Sequence, residues 1–158
     1  MLVSRNPAKG LGTLTTKHIF RTAAAGMGLA MSLVGTAASA TPPGPGVVGT
    51  VIWQKTVGNT DYTLREFTLP PHTATGWHHH DGNLYATVKS GTLSRYDAEC
   101  QRIGFHPTGS FVFEPAGPEH VHIGRNLGDT KVVLEVLYVL PKGSPFSQDE
   151  PNPGCDFE

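Results

Sequence analysis

From residue 47 to residue 140 the apolar side chains come in short runs, and Gly, Pro, Asn or Asp closes each run. Alternation of apolar and polar positions with period two is the mark of a strand with one face in a core. On that pattern strands are predicted over residues 47–57, 62–69, 77–80, 84–88, 92–96, 110–114, 119–123 and 131–140. Gly58-Asn59, Pro70-Pro71, Asp81-Gly82-Asn83, Ser90-Gly91, Pro107-Thr108-Gly109 and Asn126-Leu127-Gly128-Asp129 supply the turns. The segment around Cys100 reads as a loop. Residues 131–140 form the longest run, with Val132, Leu134, Val136, Tyr138 and Leu140 on one face. Val133, Glu135, Leu137 and Val139 lie on the other, which predicts a strand covered on both sides. No stretch has helical period, so the expectation is an all-β sandwich or barrel.

Composition changes this picture at the two ends. Residues 1–40 hold four bases (Arg5, Lys9, Lys17, Arg21) and no acid, leaving eight bases against 13 acids in the rest. The bases precede a small-residue apolar stretch from Ala23 to Val34, then Ala38-Ser39-Ala40. That is the order of a secretory signal peptide, with cleavage expected after Ala40. An uncleaved anchor helix is the other reading, but a span needs roughly 17–25 apolar residues. The mature chain would be residues 41–158, with a flexible start over 41–46, a folded body over 47–140 and a tail over 141–158. It would be secreted or periplasmic, without a stable membrane anchor.

Both cysteines, Cys100 and Cys155, fall in that mature chain. Export favours a bridge between them, which would tie the Pro/Gly-rich tail to the body; in a reducing compartment two thiols would be expected. Nineteen glycines and 13 prolines make about a fifth of the chain, against roughly an eighth on average. The net-acidic body carries no basic patch, which argues against nucleic-acid binding.

The chemistry lies in the histidines. His78-His79-His80 falls in one predicted strand and His120-Val121-His122 in another. Alternation places His78 and His80 on one face, and His120 with His122 on one face. Two such pairs can converge inside a barrel, and neutral imidazole is the commonest metal ligand. Trp77 reads as core, and His72 and His106 as surface histidines beside prolines.

These residues resemble the two motifs of the cupins. The first stands here as His72-x5-His78-x-His80-x3-Leu84-x6-Gly91, and the second as Gly109-x5-Pro115-x-Gly117-x2-His120. Gly124 occupies the place of the second motif's Asn, with Asn126 two residues on. The resemblance covers residues 47–140 and implies a jelly-roll barrel, a double-stranded β-helix, with a metal inside. Carried over by position, the ligands are His78, His80 and His120. The first motif's Glu is missing: Leu84, or Tyr85 under the longer spacing, stands in its place. A three-imidazole site of this type is similar to that of cupin dioxygenases without the acidic ligand.

The resemblance thus implies a divalent transition metal (Fe, Mn, Zn, Cu or Ni) and a small-molecule substrate. Tyr85 and His122 are the candidate acid–base groups, with His122 an extra ligand in the alternative. An oxygenase or isomerase would use such a site, and a binding module without turnover would keep the same residues. Homodimerisation through edge strands is a further implication.

Overall fold

The computed structural model describes residues 39–157, so the leader predicted over residues 1–40 lies almost wholly outside the described residues. Ten strands form two antiparallel five-stranded sheets. The first sheet runs β1-β2-β9-β4-β7 and the second β10-β3-β8-β5-β6. Its members are β1 (Val48–Val57), β2 (Thr60–Leu69), β4 (Asn83–Ser90), β7 (Phe111–Glu114) and β9 (Val132–Pro141). The second sheet holds β3 (His78–His79), β5 (Thr92–Asp97), β6 (Arg102–Pro107), β8 (His122–Arg125) and β10 (Gln148–Asp149).

The core fills the space between the sheets. Leu69, Leu84, Ala86, Val88, Leu93, Val112 and the inward face of β9 form one buried cluster. β9 is the centre of its sheet, and its residues alternate between buried and half-buried along its length. Val132, Leu134, Val136, Tyr138 and Leu140 are the buried set. The other face of β9 is half-exposed rather than covered, which corrects the expectation of a strand enclosed on both sides. Tyr62, Leu64 and Glu66 lie opposite Val139, Leu137 and Glu135 on that outer surface.

The chain moves between sheets at Ser90-Gly91. Gly91 has φ +75°, and a Cβ there would meet the Lys131 carbonyl oxygen at 2.7 Å. Only glycine turns this corner without displacing the start of β9.

Three elements depart from the sequence expectation. β6 forms where a loop around Cys100 was expected, because Leu93, Ser94 and Arg95 on β5 pair with His106, Phe105 and Gly104. His106 therefore sits in a strand, half-buried. Residues 119–123 do not make one strand. Pro118–His120 is a single 3-10 turn with proline in its opening position, and β8 starts only at His122. The tail is also ordered: β10 pairs with β3, and Cys100 and Cys155 form a disulfide with Cα atoms 5.6 Å apart. Trp77, Ala74, Ile123 and Cys155 make a second small core beneath this tail, with Phe157 stacked 6.3 Å from Trp77.

Candidate metal centre

His78 is the inward residue of β3 and lies directly opposite His122 on β8. His80 follows two residues on, with the same parity, and all three rings are buried. Their centroids are 4.5 Å apart for His78–His122, 4.8 Å for His78–His80 and 5.4 Å for His80–His122. Glu114, the last residue of β7, completes the group, and one donor atom from each of the four lies within 4.8 Å of the others.

The hydrogen bonds behind the rings orient them. His78 Nδ1 donates to the Gly76 carbonyl at 2.9 Å, His80 Nδ1 to that of Phe146 at 2.8 Å, and His122 Nδ1 to that of His120 at 2.8 Å. A carbonyl oxygen only accepts, so each Nδ1 holds a proton and each Nε2 is turned toward the centre. There Glu114 Oε2 lies 3.1 Å from His80 Nε2 and 3.4 Å from His122 Nε2. The second contact is too poorly aligned for a hydrogen bond, and His122 Nε2 is buried without a partner among the described residues. A lone pair facing a carboxylate requires a shared proton or a cation between them. Three converging nitrogens, one of them orphaned, and one carboxylate oxygen fit a divalent transition metal.

Electrostatics favour the same forms. Burial holds the His78 imidazole well below its ordinary pKa, and the positive fields of His122 and His80 add to this, so the ring stays neutral. Burial works to raise the Glu114 carboxyl, but His122, His80 and Arg95 outweigh it and keep Glu114 ionised. Arg95, only 6% exposed, sets its Nε 3.0 Å from Glu114 Oε1. The guanidinium fixes one carboxylate oxygen and leaves the other facing the histidines.

The expected residues divide accordingly. His78 and His80 stand in the cluster, and so does His122, which the sequence offered as an acid–base group or an extra ligand. His120 does not join them. It lies on the 3-10 turn with its side chain 43% exposed, beside Glu119 at 3.6 Å. It opens on a separate hollow shared with Arg95, Asp97 and one edge of His122. Pro118 is the physical reason, because the one-turn helix keeps residues 118–120 out of the strand and the inward strand positions begin only at His122. The signal was in the sequence: His122-x3-Asn126 keeps the second motif's His-to-Asn spacing, displaced by two residues. Asn126 is buried and donates to the carbonyls of Leu69, Pro70 and Thr130.

Tyr85 points outward from β4, 38% exposed, between Phe111 and Phe113. It therefore faces away from the histidines. Leu84 faces in, and its cross-strand partner is Glu114. The carboxylate missing from the first motif thus stands on the neighbouring strand at the same level and on the same face. Parity alone could have nominated Glu114, since Val112 and Glu114 alternate with the outward Phe111 and Phe113. The pairing of β4 with β7 that gives the parity its meaning is tertiary.

The cluster forms part of the wall of a cavity of about 440 Å³ between the sheets. Leu84, Ala86, Val112, Leu134 and Val136 make its apolar side, and Arg65, Phe67, Tyr138 and Phe146 line the same space. That size is within the range of small-molecule pockets.

No protein-family model matches the chain, and no curated protein does. Solved structures do. A conserved protein with a double-stranded β-helix domain from Klebsiella pneumoniae subsp. pneumoniae superposes with TM-score 0.52 at 20% identity, over 68% of this chain and 89% of its own. A cupin-like protein from Thermotoga maritima superposes with TM-score 0.53 at 16% identity, over 67% of this chain and 77% of its own. At such identities the likeness is one of fold.

Proposed function

We propose, from the premise that this chain is a double-stranded β-helix of cupin fold, that it is an exported metal-dependent enzyme acting on a small organic molecule. His78, His80, His122 and Glu114 would hold one divalent transition metal (Fe, Mn, Zn, Cu or Ni). A bound metal of this kind supplies Lewis acidity or redox chemistry at positions the protein leaves open. The reaction classes that suit the site are dioxygenation and isomerisation.

The observation that carries this reading is the joint orientation of the three imidazoles: each is locked by a backbone carbonyl, Nε2 of His80 and of His122 lie within 3.4 Å of Glu114, and the whole group sits in the wall of a cavity. The protein's own contributions follow from the geometry. The apolar wall excludes water from bound substrate and strengthens charge interactions in the site. Glu114, anchored by Arg95, offsets part of the charge of a dication. Tyr138 lies in the same cavity with its ring centroid 6.1 Å from that of His80. Burial pushes its phenol pKa up to about 12, so Tyr138 is a neutral hydrogen-bond donor at any working pH. Export is supported by the Cys100–Cys155 bridge, which persists in oxidising compartments. No helix of the described residues is long and apolar enough to cross a membrane.

The test is elemental analysis of the purified full chain beside a His78→Ala/His122→Ala double variant. One metal per chain in the first and none in the second is expected; equal trace metal in both would sink the site. Oxygen uptake and product analysis with a panel of phenols, diketones and thiols then test catalysis. Stoichiometric metal without turnover of any would favour a binding module.

A further inference from the structure

We propose that the cavity carries a carboxylate subsite at Arg65, so that its ligand is a compact, largely apolar monocarboxylic acid. This deepens the enzyme reading above by naming the substrate class, although the subsite itself is built without the metal ligands.

Arg65 is an inward residue of β2, opposite Val136 on β9, and it lines the cavity. Among the described residues no carboxylate lies within ion-pair distance of it. Asp149 and Glu114 line the same cavity, but Asp149 is exposed and unpaired with Arg65, and Glu114 is held by Arg95. Arg65 Nε is buried without a hydrogen-bond partner among the described residues. One terminal nitrogen donates to the Gly49 carbonyl at 3.0 Å, and the side chain also bonds the Tyr138 hydroxyl. A guanidinium has five N–H donors, so these bonds leave donors unused. A buried cationic donor without an acceptor is costly, and a planar fork matches a carboxylate in two places.

The surroundings hold the fork still. Its carbon lies 4.0 Å from the Phe146 ring centroid, 5.4 Å from that of Tyr138 and 5.9 Å from that of Phe67. Stacking of this kind fixes the plane of the guanidinium while leaving its edge free. Gly49 is part of the device. A Cβ at that position would run into the Arg65 guanidinium, so β1 is bare where the arginine crosses it. The body of the ligand would lie against Phe67, Leu134 and Val136, which suits a ring or branched chain better than a second polar group. Because the Tyr138 ring neighbours both His80 and Arg65, one small molecule could reach both the histidine cluster and the guanidinium.

The test compares benzoate with the neutral, similarly shaped benzamide by calorimetric titration of the full chain, stripped of metal and again loaded with Zn²⁺. The metal-free protein should bind benzoate roughly tenfold or more tightly than benzamide, the margin a charge-assisted bond supplies. Arg65→Met should bring the two to within about twofold, and Arg65→Lys should restore part of the preference. Gly49→Val, which keeps the charge but displaces the guanidinium, should also erode it. Failure of benzoate to bind the metal-free wild type overturns the subsite, and so does equal affinity for the two. Those two results need no variant to fold. Benzoate binding that appears only with Zn²⁺ and survives Arg65→Met would also overturn it, while leaving the metal reading intact. Benzoate preference in a protein that takes up no metal would do the reverse.

Discussion

At the scale of the residue, two positions in the second histidine group separate ligand from bystander. His120 and His122 are two apart in sequence, yet one is half-exposed and the other buried with an orphaned Nε2. His122→Ala should therefore weaken metal affinity by more than roughly 100-fold, beyond the ~10–100-fold that outer partners are worth, whereas His120→Ala should stay near wild type. Competition against a metal-chelating dye reads both; a larger loss in His120→Ala would reverse the assignment. Tyr138 gives a second residue-level prediction. Its phenol pKa is about 12 in the folded protein, against about 10 when unfolded. Below pH 10 both states keep the proton, so the full stability is present. Between pH 10 and pH 12 the unfolded chain ionises while the folded one does not, and about 3 kcal/mol is lost. Urea unfolding from about pH 9 to about pH 11.5 should show this slope, and Tyr138→Phe should flatten it. His78 acts at the other end. Its folded pKa is lowered, so metal-free protein should lose stability as pH falls below about 6.5, where the unfolded ring takes a proton and the buried one does not.

At the scale of the element, the tail is the part that most changes the site. β10 pairs with β3, placing Gln148 opposite His79 and Asp149 opposite His78. Glu150 accepts from His79 Nδ1 at 2.8 Å and its amide donates to the Trp77 carbonyl at 2.8 Å. The Phe146 carbonyl holds His80. The short strand that carries the histidines thus owes much of its pairing to a segment far along the chain, and Cys100–Cys155 ties that segment to the body across 55 residues. Closing such a loop stabilises by about 4 kcal/mol in the chain-entropy model. Reduction, or Cys100→Ser/Cys155→Ser, should lower stability by roughly 2–5 kcal/mol and also weaken metal affinity by about 10-fold or more. Denaturant melts and metal titrations on the same samples check both. Lost stability with unchanged affinity would show that the tail does not support His80.

At the scale of the whole molecule, the two sheets close around the main core, and among the described residues they leave a long free edge. β1 is an edge strand of ten residues, and Val48, Val51, Ile52, Trp53 and Val57 on it are each 46–56% exposed. A long apolar edge with unpaired backbone groups is a template for another strand, and a second copy offers the same edge in antiparallel sense. The expected outcome is a homodimer in light-scattering chromatography, converted to monomer by Trp53→Lys with the metal content unchanged. A monomeric wild type at about 100 µM, well above the Kd of an ordinary stable homodimer, would rule out this edge as an interface.

Much of the fold was legible in the sequence because strand parity and turn residues are local. Seven of the eight predicted runs overlap a strand of the structure directly, and the eighth, residues 119–123, straddles the 3-10 turn and the start of β8. The all-β class, the division of 131–140 into two faces and the placing of His78 with His80 needed only period two and Gly/Pro punctuation, although which of those two faces is buried did not follow from them. What stayed hidden was whatever depends on pairing across the chain. β6 exists through its partner β5, Glu114 matters through its place opposite Leu84, and the tail is ordered through β3 and a disulfide. The sequence by itself determined which residues could share a face. Only the tertiary structure decided which faces meet, since a single proline turn moved the second histidine by two positions, and long-range register brought Glu114 and Arg65 into one cavity wall, with Arg95 anchoring Glu114 from outside it.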